Sequence, residues 1–303
     1  MKVLLTGAAG QLGQALIASK PSGVQLISTS RRGGEGLEAL DLSDAGACWS
    51  AVDAYRPDWV LNAGAYTAVD QAESEPDLAL AVNAGAPRAF AQALISCCPG
   101  SRLLQLSTDF VFDGDQGHPY QPDQRPDPLG VYGATKASGE KAVSEVLGTG
   151  ADGQAMILRT SWVYGPVGRN FLLTMLRLHR LKAEAHEPLR VVADQVGCPT
   201  ATSGLAKTCW AAVTRQASGV LHWSDAGAAT WFDFAVAIGA QAAARGLISA
   251  AAEVQPIRTV DYPTPATRPA YSLLDSSATR ERLQLASRHW QSMLDEVLGE
   301  LNA

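Results

Sequence analysis

The sequence predicts an α/β protein in which helices cover both faces of a parallel sheet and a smaller lobe is built onto the C-terminal side. Short, β-rich apolar runs alternate with helical patterns through the first half of the chain. The runs are continuously apolar, which is typical of strands buried on both faces of a parallel sheet. After about Tyr164 the pattern becomes irregular, with proline-rich pieces between helices. We therefore expect a doubly wound sheet domain over residues 1–165. A smaller lobe should occupy most of residues 166–303, from which some segments can return to the sheet.

The individual elements follow from these runs in chain order. The predicted helices begin at Gln11, span about 45–55 and 77–96, and include the segment that carries Tyr132 and Lys136. The predicted strands are KVLLTG, VQLISTS, WVLNAG, RLLQLST and AMILRTS.

Composition excludes several classes of function. With 303 residues, 47% hydrophobic and 18% charged, the chain can bury a large core and is expected to be soluble. A net charge of −6 without a run of Lys or Arg argues against nucleic acid and anionic membranes as partners. The five cysteines include no CxxC, and the five histidines include no i, i+4 pair. We expect no disulfide framework, no metal site and a reducing, cytoplasmic location.

A glycine-rich loop joins the first strand to the first helix. TGAAGQLG carries Gly7, Gly10 and Gly13, a GxxGxxG spacing. Glycine there allows a tight turn and lets backbone N–H groups and the helix N-terminus approach a pyrophosphate. This predicts an NAD(P)-binding, Rossmann-type domain; a plain glycine-rich turn is the alternative.

The end of the second strand indicates which nicotinamide cofactor is used. Where an NAD-specific site places an acid against the ribose, this chain reads STSRR, with Ser30 followed by Arg31 and Arg32. Guanidinium groups bind a 2′-phosphate, whereas a carboxylate repels it. We predict NADPH in preference to NADH, with NADH still usable. Two solvated loop arginines are the alternative.

The stretch LGVYGATKASGE places a phenol one helical turn before an ammonium. Tyr132 and Lys136 stand at i and i+4, so they share a helix face, and small residues surround them. A nearby cation is expected to lower the phenol pKa by roughly 1 to 3 units, toward a value useful for proton transfer. An ordinary surface pair on an amphipathic helix is the alternative.

The order of these motifs resembles the extended short-chain dehydrogenase/reductases, and within them the dTDP-4-dehydrorhamnose reductase family. GxxGxxG, NAGA and YxxxK follow one another along the chain. Further pieces similar to that family run from Thr6 to Arg268: AYTAVDQAESEP, LSTDFVFDG, RTSWVYGPVGRNF, DQVGCPT and YPTPATRP.

The resemblance implies a role for individual residues of this chain. The implied cofactor contacts are Gly10, Gln11 and Leu12 at the pyrophosphate, Ser30 and Arg31 at the adenosine ribose, Asp41 and Leu42 at the adenine, and Ala65, Tyr66 and Thr67 at the nicotinamide ribose and phosphate. Tyr132 is implied as the proton donor and Lys136 as its partner on the ribose. Thr108 is implied as a third catalytic residue. Thr108 and Asp109 are implied to touch the sugar, and Trp162 to pack on it. The alternative for Thr108 and Asp109 is that they only end a strand and begin a turn. The alternative for Trp162 is a position in the hydrophobic core.

The implied activity is NAD(P)H-dependent reduction of the C4 ketone of dTDP-4-dehydro-L-rhamnose to dTDP-L-rhamnose, a step toward cell-wall polysaccharide. The related 4,6-dehydratases need an Asp-Glu pair, but here Phe110 follows Asp109. An epimerase, another nucleotide-sugar ketoreductase and a non-catalytic module similar to the regulatory subunit of methionine adenosyltransferase remain alternatives. Some family members are thought to bind Mg²⁺ at a dimer contact. No acidic cluster near the first helix recreates that site, so Mg²⁺ is not expected, whereas a homodimer remains compatible with the sequence.

Overall fold

The structure is a computed structural model and describes residues 1–301 of the chain. Its strands are β1 (Lys2–Thr6), β2 (Gln25–Ser30), β3 (Glu38–Ala39), β4 (Trp59–Asn62), β5 (Arg102–Thr108), β6 (Ala155–Thr160), β7 (Val163–Tyr164), β8 (Leu189–Val192), β9 (Val196–Gly197), β10 (Thr200–Ala201), β11 (Gly219–Trp223), β12 (Ala229–Thr230) and β13 (Val254–Ile257). Its helices are α1 (Gln11–Ala18), α2 (Ala45–Tyr55), α3 (Val69–Ala72), α4 (Pro76–Leu80), α5 (Ala86–Cys97), α6 (Val131–Leu147), α7 (Phe171–Ala185), α8 (Thr202–Thr214), α9 (Trp231–Ala244), α10 (Ser277–Leu283) and α11 (Trp290–Glu300).

A seven-stranded, all-parallel sheet forms the centre of the molecule. Its order is β11-β6-β5-β4-β1-β2-β3. The chain winds outward in one direction from β1 to β3 and in the other from β4, so the strand order reverses between β1 and β4. Ligands of such sheets bind at the carboxyl ends of the strands beside this reversal. The predicted doubly wound, Rossmann-type fold class is confirmed.

The continuously apolar strands arise because both faces of the sheet are buried. Successive side chains of a strand point to opposite faces. Val3 and Leu5 accordingly belong to the core layer that contains α1 and α8, whereas Leu4 belongs to the layer that contains α2, α5 and α6.

Two segments from the second part of the chain join the sheet. Strand β11 pairs in parallel with β6, opposing Leu221 to Leu158, and α8 packs against α1. The remaining elements build a lobe around a separate apolar cluster from α7, α9 and α11. The two-residue strand pairs β9–β12 and β10–β7 and the four-residue pair β8–β13 complete the lobe.

The helix predicted over 77–96 is a continuous run, Pro76–Cys97, interrupted by a π-helical turn at Ala81–Gly85. By length and composition alone this run could cross a membrane, but half of its most apolar window is buried inside the protein. Phe90 and Leu94 lie in the core layer beneath the sheet. The apolar character of the run follows from that packing.

Candidate active site

The glycines of the first loop are required by close backbone approaches. Gly7 has φ +67°, and a Cβ on it would lie 2.7 Å from the Gly64 Cα. A Cβ on Gly13 would lie 2.2 Å from the Gly7 carbonyl oxygen. Gly10 caps α1 without a side-chain hydrogen bond, so the N-terminal N–H groups of the helix are left for another acceptor. The loop therefore has the open backbone that a pyrophosphate needs.

A cleft of about 400 Å³ lies beside this loop and brings together part of the predicted cofactor set. The predicted residues that line it are Gly7, Arg31, Asp41, Leu42, Ala65 and Tyr66. Other members of the set have different surroundings. The Gln11 side chain donates to the Val163 carbonyl at 3.1 Å, Leu12 packs against the core, the Ser30 hydroxyl donates to the Gly33 carbonyl, and Thr67 is exposed.

Arg31 and Asp41 face each other across this cleft. The Arg31 Nε donates to the Asp41 carboxylate at 3.1 Å, and Ser43 donates two further hydrogen bonds to the same carboxylate. The Ser43 contacts and the guanidinium hold the pKa of Asp41 below its usual value. Because the Arg31 side chain is mostly exposed, its terminal nitrogens can reach a ligand in the cleft.

Asn83 is a site residue that the sequence analysis missed. Its side chain accepts from the Tyr66 backbone N–H, donates to the Tyr66 carbonyl, and donates to the Thr135 hydroxyl on α6. It therefore fixes the floor of the cleft against the helix that carries Tyr132. A buried asparagine in a π-helical turn, a feature frequent at functional sites, is visible only in three dimensions.

A chain of buried side chains crosses the carboxyl ends of three neighbouring strands. The Thr6 hydroxyl donates to Asn62, the Asn62 amide donates to Gln105, and the Gln105 amide donates to the Leu106 carbonyl. The same carbonyl accepts from the Lys136 ammonium at 2.6 Å. Polar residues at the ends of apolar strands were the available signal, but the connection between them depends on the strand order.

The predicted lowering of the Tyr132 pKa is wrong for this structure. Burial, with a smaller contribution from the nearby Asp109 carboxylate, raises the pKa of Tyr132 to about 12, against an opposing hydrogen bond with Thr108. The Lys136 ammonium is directed to the Leu106 carbonyl, and its own burial lowers the pKa of Lys136 to about 8. Desolvation therefore outweighs the attraction expected from the i, i+4 spacing.

Thr108 and Asp109 lie where β5 ends, beside the Tyr132 phenol. The Thr108 hydroxyl donates to Asp109 Oδ1 at 3.0 Å and also accepts from the Phe110 N–H, which starts a short 3₁₀ turn. Asp109 is 2% exposed, and its Oδ2 makes no hydrogen bond within the described residues, although the Ser272 hydroxyl lies close to the carboxylate. Burial raises the pKa of Asp109 to about 6, against the Ser272 and Thr108 hydroxyls, which lower it. A buried, unpartnered carboxylate oxygen is costly, and such groups are often found at functional sites.

Trp162 lies between the sheet and the lobe in a strained backbone conformation. Its φ is +47°, which is unfavourable for a bulky residue. Backbone strain of this kind is often found at functional sites. Its ring stacks on Trp231 with ring centres 3.5 Å apart. A Cβ on Gly197 would lie within 2.6 Å of the Trp162 ring. A residue with a side chain at position 197 would therefore collide with the Trp162 ring, so Gly197 is needed for this packing.

A second groove, of about 680 Å³, opens on the lobe. Its lining includes the aromatic side chains of Phe171 and Trp231 and the charged side chains of Asp70 and Arg268. The Arg268 guanidinium binds the Asp70 carboxylate with contacts of 2.8 and 2.9 Å. This ion pair joins the YPTPATRP segment to the loop that follows β4. Over residues 1–301, no group of three or more His, Cys, Asp or Glu side chains could hold a metal ion.

Comparison with known proteins places this geometry in a family. A family model described as "RmlD substrate binding domain" matches residues 1–303. The "dTDP-4-dehydrorhamnose reductase" of Streptomyces griseus is 41% identical, over 98% of this chain and 93% of that protein. The chain belongs to the dTDP-4-dehydrorhamnose reductase family. The resemblance inferred from the sequence motifs is thereby confirmed.

Other members of the comparison differ in their substrate or include a cofactor. The "dTDP-4-keto-6-deoxy-D-glucose reductase" of Streptomyces niveus is 37% identical, over 99% of this chain and 97% of that protein. The crystal structure of a dTDP-4-dehydrorhamnose reductase from Clostridium acetobutylicum matches with a TM-score of 0.88 at 34% identity, covering all of both chains. A Bacillus anthracis dTDP-4-dehydrorhamnose reductase in complex with NADP matches with a TM-score of 0.85 at 33% identity, covering 99% of both chains.

Proposed function

We propose that this protein reduces the C4 ketone of dTDP-4-dehydro-L-rhamnose to give dTDP-L-rhamnose, with NADPH as the reductant, in the cytoplasm. The observation that carries the proposal is the grouping of Tyr132, Lys136, Thr108 and Asp109 where α6 meets the end of β5. Asn83 connects α6 to Tyr66, which lines the cofactor cleft. Family membership supports the same activity.

The first loop and the cleft fit a dinucleotide. We assign the pyrophosphate to the loop of Gly7, Gly10 and Gly13 with Gln11 and Leu12, because a side chain at Gly7 or Gly13 would collide with backbone. The adenosine half is assigned to Ser30, Arg31, Asp41 and Leu42, and the nicotinamide half to Ala65, Tyr66, Thr67, Tyr132 and Lys136. When bound, the nicotinamide supplies the hydride for the ketone carbon.

Tyr132 is assigned as the proton donor to the ketone oxygen. Because burial raises the pKa of Tyr132 to about 12, the phenol holds its proton at neutral pH, as a donor must. As the proton leaves, negative charge develops on the phenol oxygen, and the Lys136 cation one helical turn away stabilises that charge. The Thr108 hydroxyl lies close to the phenol and favours its ionised form, against the effect of burial.

The sugar is assigned to Asp109 and Trp162. The unpartnered Oδ2 of Asp109 can accept a hydrogen bond from a sugar hydroxyl, which would satisfy a buried acceptor. Trp162 offers an aromatic surface next to the lobe groove. We also propose the division into a cofactor domain over 1–165 and a lobe mainly over 166–303 that binds the substrate.

NADPH is proposed over NADH because Arg31 borders the adenosine end of the cleft with its terminal nitrogens available. The NADP complex of the Bacillus anthracis relative supports this choice. The test compares kcat/KM for NADPH and NADH in wild type and in Arg31→Ala. Loss confined to NADPH supports the proposal, and a strong preference of wild type for NADH refutes it.

The activity itself is tested by NADPH oxidation with the sugar made in situ. The 4-keto-6-deoxy-D-glucose nucleotide is first formed by a 4,6-dehydratase, and a 3,5-epimerase is then added. Oxidation that begins only after the epimerase is added supports the proposal. Oxidation before the epimerase would instead support the reaction named for the Streptomyces niveus relative, and no oxidation in either stage would favour a non-catalytic module.

A further inference from the structure

A third cavity, of about 170 Å³, lies away from the cofactor cleft and the lobe groove and shares no lining residue with either. The start of α8, the end of β11, α10 and the first half of α11 surround it. The mechanism above uses none of its residues.

The inner wall of this cavity carries an unused hydrogen-bond donor. Trp223 is 5% exposed, and its indole Nε1 has no partner among the described residues. That nitrogen lies 3.8 Å from the position where a Cβ on Gly204 would stand, and Asp225 Oδ1 lies 3.2 Å from the same position. Gly204 therefore leaves open a small space that a donor and an acceptor both face.

Further donors and positive charge surround the same space. Arg280 lines the cavity, and its Nε is buried without a partner. The exposed Lys207 lies at the rim with no ion pair in the described structure. Helix α8 spans 13 residues and begins here without a side-chain cap, so backbone N–H groups of its first turn are available near Ser203 and Gly204.

Two carboxylates reduce the positive charge but do not cancel it. Glu296 is already engaged by the Arg288 guanidinium at the rim, with a contact of 2.7 Å. Asp225 uses Oδ2 to accept from the Ala201 N–H, which leaves Oδ1 toward the cavity. An occupant must therefore accept hydrogen bonds from several donors and also donate one to Asp225.

We propose that this cavity is a binding site for a phosphate group, either inorganic phosphate or the terminal phosphate of a small metabolite. Phosphate offers oxygens to Trp223, Arg280 and Lys207. At neutral pH inorganic phosphate also retains a hydroxyl that can donate to Asp225, and a monoester has that hydroxyl in its monoanionic form. Sulfate carries no proton, so the Asp225 carboxylate disfavours it above the pKa of Asp225, which burial raises to about 7. The volume admits a phosphate group, and the exposed rim leaves room for the remainder of a monoester.

The test follows the indole N–H resonance of Trp223 by ¹H–¹⁵N NMR. The chain has seven tryptophans, and Trp223→Phe identifies the resonance by its loss. Inorganic phosphate is titrated at constant ionic strength into the full chain saturated with NADPH, which keeps phosphate out of the cofactor site. We expect a saturable shift of this resonance with phosphate, a weaker response to sulfate at pH 8, and none with chloride.

Two variants and a control make the result specific. Gly204→Ala places a methyl group 3.2 Å from Asp225 Oδ1 and favours the helix, so it should weaken phosphate binding at least about tenfold while the protein stays folded. Lys207→Met should weaken binding roughly two- to fivefold, as expected for an exposed charge. Lys141→Met, which removes another exposed charge, on α6, should leave binding unchanged.

The outcomes separate the possible sources of the ligand. Tighter binding of glycerol 3-phosphate than of inorganic phosphate supports a monoester site, and the reverse supports a free phosphate site. A cavity that holds only water gives no saturable shift with either probe, which overturns the proposal. A shift that persists unchanged in Gly204→Ala, or equal binding of sulfate, also overturns it. None of these readouts depends on reductase activity.

Discussion

The Lys136 ammonium donates a hydrogen bond of 2.6 Å to the Leu106 carbonyl oxygen, where the buried chain that begins at Thr6 ends. The ammonium is therefore held by the sheet, and burial lowers the pKa of Lys136 to about 8 against the attraction of Glu140. A cation with a pKa this close to neutrality loses its charge within the range of ordinary assays.

Loss of that charge predicts an alkaline limit to activity. The kcat/KM for NADPH, which reports groups of the free enzyme, should fall above pH about 8 as Lys136 loses its proton. Tyr132 does not cause this fall in kcat/KM at alkaline pH, because its pKa of about 12 keeps the phenol protonated. Lys136→Met should lower kcat/KM at pH 7 and remove the alkaline fall. A wild-type profile that stays flat to pH 10 would contradict this assignment.

Tyr132→Phe removes only the hydroxyl and keeps the ring that packs edge-on against Phe110, with ring centres 5.6 Å apart. The fold and NADPH affinity should therefore be preserved. General acid catalysis typically contributes about 10²- to 10⁴-fold, so kcat should fall within that range. Near wild-type turnover of the dTDP-4-keto sugar would refute the proposed mechanism and favour a non-catalytic module.

Asp109→Asn should weaken substrate use while stabilising the fold. Burial raises the pKa of Asp109 to about 6, so the folded state favours the protonated carboxyl and loses stability as pH rises from about 4 through 6. At pH 8 the variant should gain free energy of unfolding, by at most about 3 kcal/mol. The gain should shrink below pH 6 and disappear near pH 4 in urea titrations.

If Asp109 binds the sugar, Asp109→Asn should also lose activity, independently of its effect on stability. Removing a charged hydrogen-bond acceptor should lower kcat/KM for the sugar by roughly 10- to 150-fold. NADPH affinity should not change. An equal loss of cofactor affinity, or a less stable variant at pH 8, would assign Asp109 to the structure alone.

Glu140 on α6 and Arg159 on β6 form a buried ion pair that joins the active-site helix to the sheet. The Arg159 guanidinium binds both Glu140 oxygens, with a shortest contact of 2.7 Å, and both residues are nearly inaccessible to solvent. Glu140→Gln leaves a buried charge unpaired and should cost about 3–5 kcal/mol of unfolding free energy. Glu145→Gln, one helical turn later in an exposed pair, should cost less than about 1 kcal/mol. Similar small losses in both variants would contradict the prediction.

Gly13→Ala tests the cofactor loop. The added Cβ would lie 2.2 Å from the Gly7 carbonyl oxygen and 2.6 Å from the Ala8 Cα, so the loop must move. NADPH affinity, measured by fluorescence titration, should fall by at least about tenfold, which is 1.4 kcal/mol. Gly85→Ala, where the nearest atom to the added Cβ is 3.9 Å away, serves as the control and should bind normally. Normal binding by the Gly13 variant would remove this loop from the cofactor site.

Much of the fold could be predicted because strands and helices produce hydrophobic patterns between residues that are close in sequence. A strand buried on both faces is apolar along its length, and the helices at 45–55 and 131–147 show in the intervening periodicity. The glycines of the first loop were identified because a tight turn and a close backbone approach are local requirements. The order of the motifs along the chain is sufficient to identify the family.

The electrostatics of the site could not be predicted in the same way. The spacing of Tyr132 and Lys136 is a property of one helix, but the pKa of each depends on burial by other elements. Asn83 and Gln105 stand out neither by spacing nor by composition. They meet their partners only because α6 and β5 are brought beside them.

The strand–helix order, the open loop at Gly7 and the placement of a phenol and an ammonium on one helix face follow from the amino-acid order alone. The direction of the Lys136 ammonium and the absence of a hydrogen bond at Asp109 Oδ2 and at the Trp223 indole depend on how the elements pack. Local patterns fix backbone conformation because they act through neighbours in the chain. Desolvation and hydrogen-bond partners depend on residues distant in sequence, so only the assembled fold sets them.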